Sequence, residues 1–260
     1  MVCEEIMQFL EEQSPAALAC AWDNVGLLIG NPEKEVKKIY IAVDATDEVV
    51  DEAVKLGADL LLTHHPMIFK GIKHITPGDF LGKRIIKLVQ NDMAYFAMHT
   101  NFDVRGMAEL AAAIMGLKNE SILSVTGENN GNPVGMGRVG DLMIPMDLEH
   151  CATFVREAFS LNNVKVFGDH KRMIMRAAIC PGSGKSFIKN AVEAGAGVYI
   201  TGDIDHHDGL DAVEQGLCII DAGHYGLEHI FVSYMKNYLT KRCVGVEIIT
   251  QDLAFPFWVL

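Results

Sequence analysis

Short, continuous apolar runs separated by segments of helical period constrain this chain more than any other feature. "KKIYIAVDA" (37–45), "ADLLLTH" (58–64) and "MAYFAMH" (93–99) read as strands. Between them, "TDEVVDEAVKLG" (46–57), with Thr46 as cap and Gly57 as stop, and "PGDFLGKRIIKLVQND" (77–92) read as helices. Strands without polar alternation are buried on both faces, and intervening helices provide the crossovers that parallel strands require. The same grammar resumes in the second half. Helices are expected over "PMDLEHCATFVREAFS" (145–160), "KSFIKNAVEAG", "HDGLDAVEQG" and "YGLEHIFVSYMKNYLTKR" (225–242). Strands are expected over "NVKVFGD", "MIMRAAIC", "AGVYITG", "LCIIDAG" and "VGVEIIT" (244–250). The class is α/β with a largely parallel sheet.

The Gly/Asn-rich stretch "TGENNGNPVGMG" (126–137) is the best candidate linker. It divides a first α/β domain (1–125) from a second (126–220), with 221–260 as a C-terminal segment that contributes to the site and packs back on the first domain. The halves resemble each other. "AVKLGADLLLT" (53–63) and "AVEAGAGVYIT" (191–201) share Ala, Val, Gly, Ala and Thr at the same internal spacing. A histidine pair follows each, His64/His65 and His206/His207, and then a strand ending in a lone histidine with a carboxylate four positions on. These are His99 with Asp103 in "MHTNFD" and His224 with Glu228 in "GHYGLE".

Adjacent histidines cannot both serve one face of a sheet, because a strand turns successive side chains to opposite faces. The pair in "LLLTHHP" therefore raises the question of why two imidazoles stand where a buried strand runs out. Open α/β sheets place their sites at the carboxyl ends of parallel strands. Histidine and carboxylate supply the nitrogen and oxygen donors that divalent metals take, so a metal site is the expectation. The six cysteines are scattered without a C-x-x-C pair, which points to thiols in a reducing cytosol and away from sulfur ligation.

Composition excludes other classes. A net charge of −12 argues against direct binding to a nucleic-acid backbone. The acidic start "MVCEEIMQFLEEQ" lacks the basic region of a signal peptide, and no run approaches 18 apolar residues, so no membrane span is expected. "CPGSGKS" imitates a phosphate-binding loop, but Ile179 stands where the first glycine is needed. His206 and His207, beside Asp203, Asp205 and Asp208, form either an accessory site or an acidic helix start. His150, His170 and His229 have no supporting neighbours. The apolar tail "LAFPFWVL" (253–260) is either a last strand on its own domain or a subunit contact.

Taken in order, "DNVGLLIG" (23–30), "AVDATDEVVDEAVKLGADLLLTHHP" (42–66), "MHTNFD" (98–103), "CPGSGKSFI" (180–188), "YITGDI" (199–204) and "DAGHYGLE" (221–228) resemble the YbgI-like family, also called GTP cyclohydrolase I type 2 homologs. The resemblance spans essentially the whole chain. It implies two similar α/β/α domains with a dinuclear metal centre in the cleft between them, held by His64, His65, Asp103, His224 and Glu228. His99 is implied as a neighbour in the second shell or in proton transfer. It also implies a toroidal homohexamer, and the chain length matches the short form without an inserted domain. The expected function is metal-dependent hydrolysis of a nucleotide or other small polar substrate by two divalent ions (Zn, Mn, Fe, Co or Ni). The alternative is a non-catalytic metal carrier or oligomeric scaffold.

Overall fold

The computed structural model describes Met1–Leu260, all of the chain. It divides into two compact units. The first comprises Met1–Phe102 and Phe231–Ala254, the second Asp103–Ile230 and Phe255–Leu260. The boundary expected at 125/126 falls instead inside a hairpin, and that at 220/221 lies ten residues before the observed change of unit.

The first unit is built on a five-stranded sheet. Its elements are α1 (Cys3–Gln13), β1 (Gly26–Ile29), β2 (Lys38–Ala42), α2 (Asp47–Lys55), β3 (Leu60–Thr63), α3 (Phe80–Gln90), β4 (Ala94–Ala97) and a turn of helix, α4 (Thr100–Phe102). Two C-terminal elements, α10 (Ile230–Thr240) and β11 (Glu247–Thr250), complete it. The strand order is β1-β4-β3-β2-β11, parallel throughout except for β1. Tyr40, Ala42, Leu61, Tyr95 and Ala97 face one side, where Val49, Val50 and Ala53 of α2 and Leu88 of α3 close the core. Ile39, Ile41, Leu60, Leu62, Ala94 and Phe96, on the opposite face, are also buried, which accounts for the unbroken apolar runs. Helix starts follow the expected chemistry: Thr46 Oγ1 accepts from Val49 N at 3.2 Å and Asp79 Oδ1 from Gly82 N at 2.8 Å.

The second unit contains α5 (Ala108–Met115), β5 (Lys118–Asn129), β6 (Asn132–Asp147), α6 (Leu148–Ala158), β7 (Lys165–Phe167) and β8 (Met173–Ser183). It continues with α7 (Ile188–Glu193), β9 (Val198–Gly202), α8 (His206–Glu214), β10 (Cys218–Asp221) and α9 (His224–Glu228). Its sheet runs β5-β6-β8-β9-β10-β7. Only β8, β9 and β10 are mutually parallel, so "largely parallel" describes the first sheet and the centre of the second. The order β7-β10-β9-β8 repeats β1-β4-β3-β2, with the first strand antiparallel in each case. The likeness between 53–63 and 191–201 thus falls on equivalent helix–strand units, α2–β3 and α7–β9.

Three expectations are corrected. The Gly/Asn-rich stretch is not a linker: β5 and β6 pair through it, Asn129 opposite Asn132, with Asn130 and Gly131 both at positive φ in the two-residue turn. Those dihedrals suit a type I′ turn, the tight hairpin connection that matches strand twist. The helix expected over 225–242 is two helices that meet at His229 and belong to different units. The tail forms no strand, and Phe257, Trp258, Val259 and Leu260 are exposed. No helix is long and apolar enough to cross a membrane.

The Thr46 cap provides a check on the first unit. Thr46→Ala should lower stability by about 1 kcal/mol, measured as a shift in the urea midpoint with unchanged slope.

Candidate metal centre

In the first unit the paired histidines lie just beyond β3, in a bend where strand alternation no longer applies. Their ring centroids are 4.8 Å apart. The bend is held by Tyr95 of β4. Its hydroxyl donates to the His65 carbonyl at 2.9 Å, accepts from the Met67 amide at 2.9 Å and meets Thr63 Oγ1 at 2.8 Å. Thr63 also donates to the His65 carbonyl. Burial pushes the Tyr95 phenol up to about 12, which keeps its proton in place for this clamp.

Each imidazole is oriented through Nδ1. His64 Nδ1 lies 2.8 Å from the Met98 carbonyl, His65 Nδ1 2.8 Å from Asp44 Oδ1, and His99 Nδ1 2.9 Å from Asp23 Oδ1. A carbonyl or carboxylate oxygen only accepts, so Nδ1 carries the hydrogen and Nε2 is left as the donor atom for a metal. The Asp23 side chain is itself covered from solvent. Burial acts to raise its pKa, yet hydrogen bonds from His99 and Thr100 outweigh that and hold the carboxyl well below the usual carboxylate range. Nitrogens of His64, His65 and His99 lie within 4.8 Å of one another, a group able to bind a metal ion.

In the second unit His224 opens α9 and Glu228 closes it. The i,i+4 spacing brings His224 Nε2 to 3.1 Å from Glu228 Oε2. His224 Nδ1 is 2.7 Å from Asp203 Oδ2, so the same Nδ1 orientation recurs just past β9. Two glycines let the backbone approach. A side-chain carbon at Gly182 would collide with Glu228 Oε1, and one at Gly202 would fall within 2.8 Å of the Gly223–His224 backbone. Asp103 starts an irregular turn in which Gly106 takes φ 150°. Burial, with the Asp103 and Glu228 charges adding to it, pushes the Cys180 thiol up to about 12. The groups able to bind a metal ion consist of histidine and carboxylate donors.

Comparison with known proteins decides the family: the model of Duf34/NIF3 (NGG1p interacting factor 3) matches residues 1–254. The chain belongs to the Duf34/NIF3 family. A Clostridium perfringens protein named "GTP cyclohydrolase 1 type 2 homolog" is 35% identical over 99% of both chains. A solved structure of a Bacillus cereus protein related to NIF3 superposes with a TM-score of 0.91 at 25% identity, covering 100% of this chain and 99% of that one. Protein ybgI, described as of unknown function, gives a TM-score of 0.84 at 27% identity, covering 99% and 100%. The resemblance read from the motifs holds.

Not every histidine of this Duf34/NIF3 chain joins a metal-capable group. His206 and His207 sit on α8, 5.2 Å apart, outside such groups. His150 bonds Asp147, and His229 donates to the Phe159 carbonyl. Lys185 of the "GSGK" imitation is ion-paired to Asp205 at 2.8 Å. The sequence reading missed the supporting aspartates. Asp44 and Asp203 follow β2 and β9 by one or two residues, a position at parallel strand ends that could have flagged them. Asp23 had no such signal, because only the antiparallel β1–β4 pairing brings it to His99.

Two predictions follow from this support. Asp44→Ala and Asp203→Ala should each weaken metal binding about 10- to 100-fold, read by competition with a chromophoric chelator, with little change in melting temperature. Tyr95→Phe should cost about 1–3 kcal/mol, since it leaves buried polar groups of the His65–Met67 bend unsatisfied. It should also weaken metal binding, whereas Tyr238→Phe, on α10, where the hydroxyl donates to the Phe9 carbonyl at 2.8 Å, should leave metal binding unchanged.

Proposed function

We propose that this chain is a dinuclear metal-dependent hydrolase in which His64, His65, Asp103, His224 and Glu228 hold two divalent ions. The observation that carries the reading is the orientation of the histidines. Each is fixed through Nδ1 to an acceptor, which leaves Nε2 as the donor atom, and that of His224 lies 3.1 Å from the Glu228 carboxylate. The donor set fits the group: the nitrogen and oxygen atoms of its histidines and carboxylates suit Zn²⁺, Mn²⁺, Fe²⁺, Co²⁺ or Ni²⁺. When bound, paired ions of this kind supply Lewis acidity and activate water for hydrolysis.

The protein's own residues do the rest. Glu228 and Asp103 supply negative charge to offset two dications. His99, whose ring is oriented by the Nδ1 bond to the Asp23 carboxylate at 2.9 Å, is the residue we assign to hold and pass a proton at Nε2. The substrate is a small polar molecule, and the relatives' printed name makes a nucleotide such as GTP the first to test. We place the protein in the cytoplasm, in keeping with six free cysteines, and as a homohexamer, for which the exposed apolar tail offers contact surface.

Glu228→Gln should fold, lose at least one of two ions by elemental analysis, and lose metal-dependent hydrolysis of nucleotides or phosphoesters. Lys185→Ala and His206→Ala should keep both ions. Full occupancy at one ion per chain would contradict the dinuclear reading, and two ions without turnover of any nucleotide or phosphoester would favour a metal carrier. Light scattering should give six chains per particle; a monomer at all working concentrations would contradict the hexamer.

A further inference from the structure

Trp22 and Phe69 are large aromatic residues that remain 64% and 46% exposed. Burying such rings is ordinarily favourable, so their exposure beside a metal-capable group is informative. Both rings lean on His99. The Trp22 centroid is 5.9 Å from it with planes at 70°, and Phe69 is 5.5 Å away at 87°. The segments that carry them are fastened to each other and to the site. Asn24 Nδ2 donates to the Ile68 carbonyl at 2.6 Å, Cys20 N donates to Thr100 Oγ1 at 2.8 Å, and Asp23 accepts from both His99 and Thr100. Hydrogen bonds thus flank Trp22 on both sides and hold the chain at Ile68, next to Phe69. The loop that continues from Phe69, residues 66–78, carries Lys70, Lys73 and His74 with no acidic residue, in a chain of net charge −12.

We propose that Trp22 and Phe69 read the substrate: they stack on a planar heteroaromatic ring, while Lys70 and Lys73 attract an anionic group attached to it. The ligand class is a phosphorylated heteroaromatic compound, of which a mononucleotide is the simplest form. The assignment of a catalytic purpose to this rim rests on the hydrolase reading above; ligand binding by it does not.

The test uses the full chain with Trp258→Phe, a change in the exposed tail that leaves Trp22 as the single tryptophan of the two. AMP, GMP, CMP and UMP are titrated against Trp22 fluorescence, with ribose 5-phosphate and inorganic phosphate as ring-free probes, in metal-loaded and chelator-treated protein. Saturable quenching by the nucleotides and none by ribose 5-phosphate is expected. Phe69→Leu keeps apolar bulk but loses the ring face, and should weaken nucleotide binding about 5- to 150-fold, the loss of one base–aromatic stack. Phe69→Tyr should retain binding. The double change Lys70→Ala/Lys73→Ala should weaken mononucleotides but not the corresponding nucleosides. The proposal is overturned if no nucleotide quenches, if ribose 5-phosphate quenches equally, or if Phe69→Leu binds as tightly as Phe69. It is also overturned if Phe69→Leu changes the particle mass and not the affinity, which would make the rim a subunit contact. Two bound ions with no nucleotide binding would sink this inference alone; nucleotide binding by a chain that takes up no divalent ion under any loading condition would sink the hydrolase reading alone.

Discussion

An imidazole offers a metal the nitrogen that does not carry its hydrogen, and the partner of the other nitrogen decides which one that is. In this protein the decision is made four times in the same way. The Met98 carbonyl, Asp44, Asp23 and Asp203 each take the Nδ1 hydrogen of His64, His65, His99 and His224. Three of these partners are carboxylates. The strand ends, glycines and bends of both units can be understood as the means of keeping those bonds in register. Tyr95 is the clearest case: one buried hydroxyl fastens the bend that carries two adjacent rings.

The two units reach similar ends by the same topology. In each, three parallel strands are flanked by an antiparallel strand that precedes them in the chain, and the polar side chains gather past the carboxyl ends. Thr63 and Tyr95 fasten the turn beyond β3. Thr201 and Tyr199 perform the corresponding work at Gly182–Gly184: Tyr199 donates to the Gly184 carbonyl and Thr201 accepts from the Gly184 amide. The equivalence extends to the lone histidines after β4 and β10. It does not extend to the histidine pairs, since the residues directly past β9 are Asp203 and Ile204, and His206/His207 begin α8.

Much of this was legible in the residues. Apolar runs without alternation marked the buried strands β2, β3, β4, β9 and β10, and Thr46 marked a helix start where its side chain accepts an amide hydrogen. The hairpin of β5 and β6 escaped notice because its tip is solvated on both sides, so polar residues fill it and no alternation appears, although Asn130-Gly131 is a hairpin signal by itself. The break at His229 was hidden by a helical period that continues across it. The histidines and acids of the candidate centre stood out because they interrupt apolar runs at strand ends. Asp23 did not, since its role depends on a pairing between segments far apart in the chain.

X-ray absorption at the metal edge of the cobalt- or zinc-loaded protein tests the central claim most directly. The account predicts a first shell of nitrogen and oxygen only, with multiple scattering from imidazole rings and a metal–metal vector at about 3.5–4 Å. A sulfur ligand near 2.3 Å, about the length of a zinc–thiolate bond, or the absence of a second metal in a fully loaded sample would contradict it.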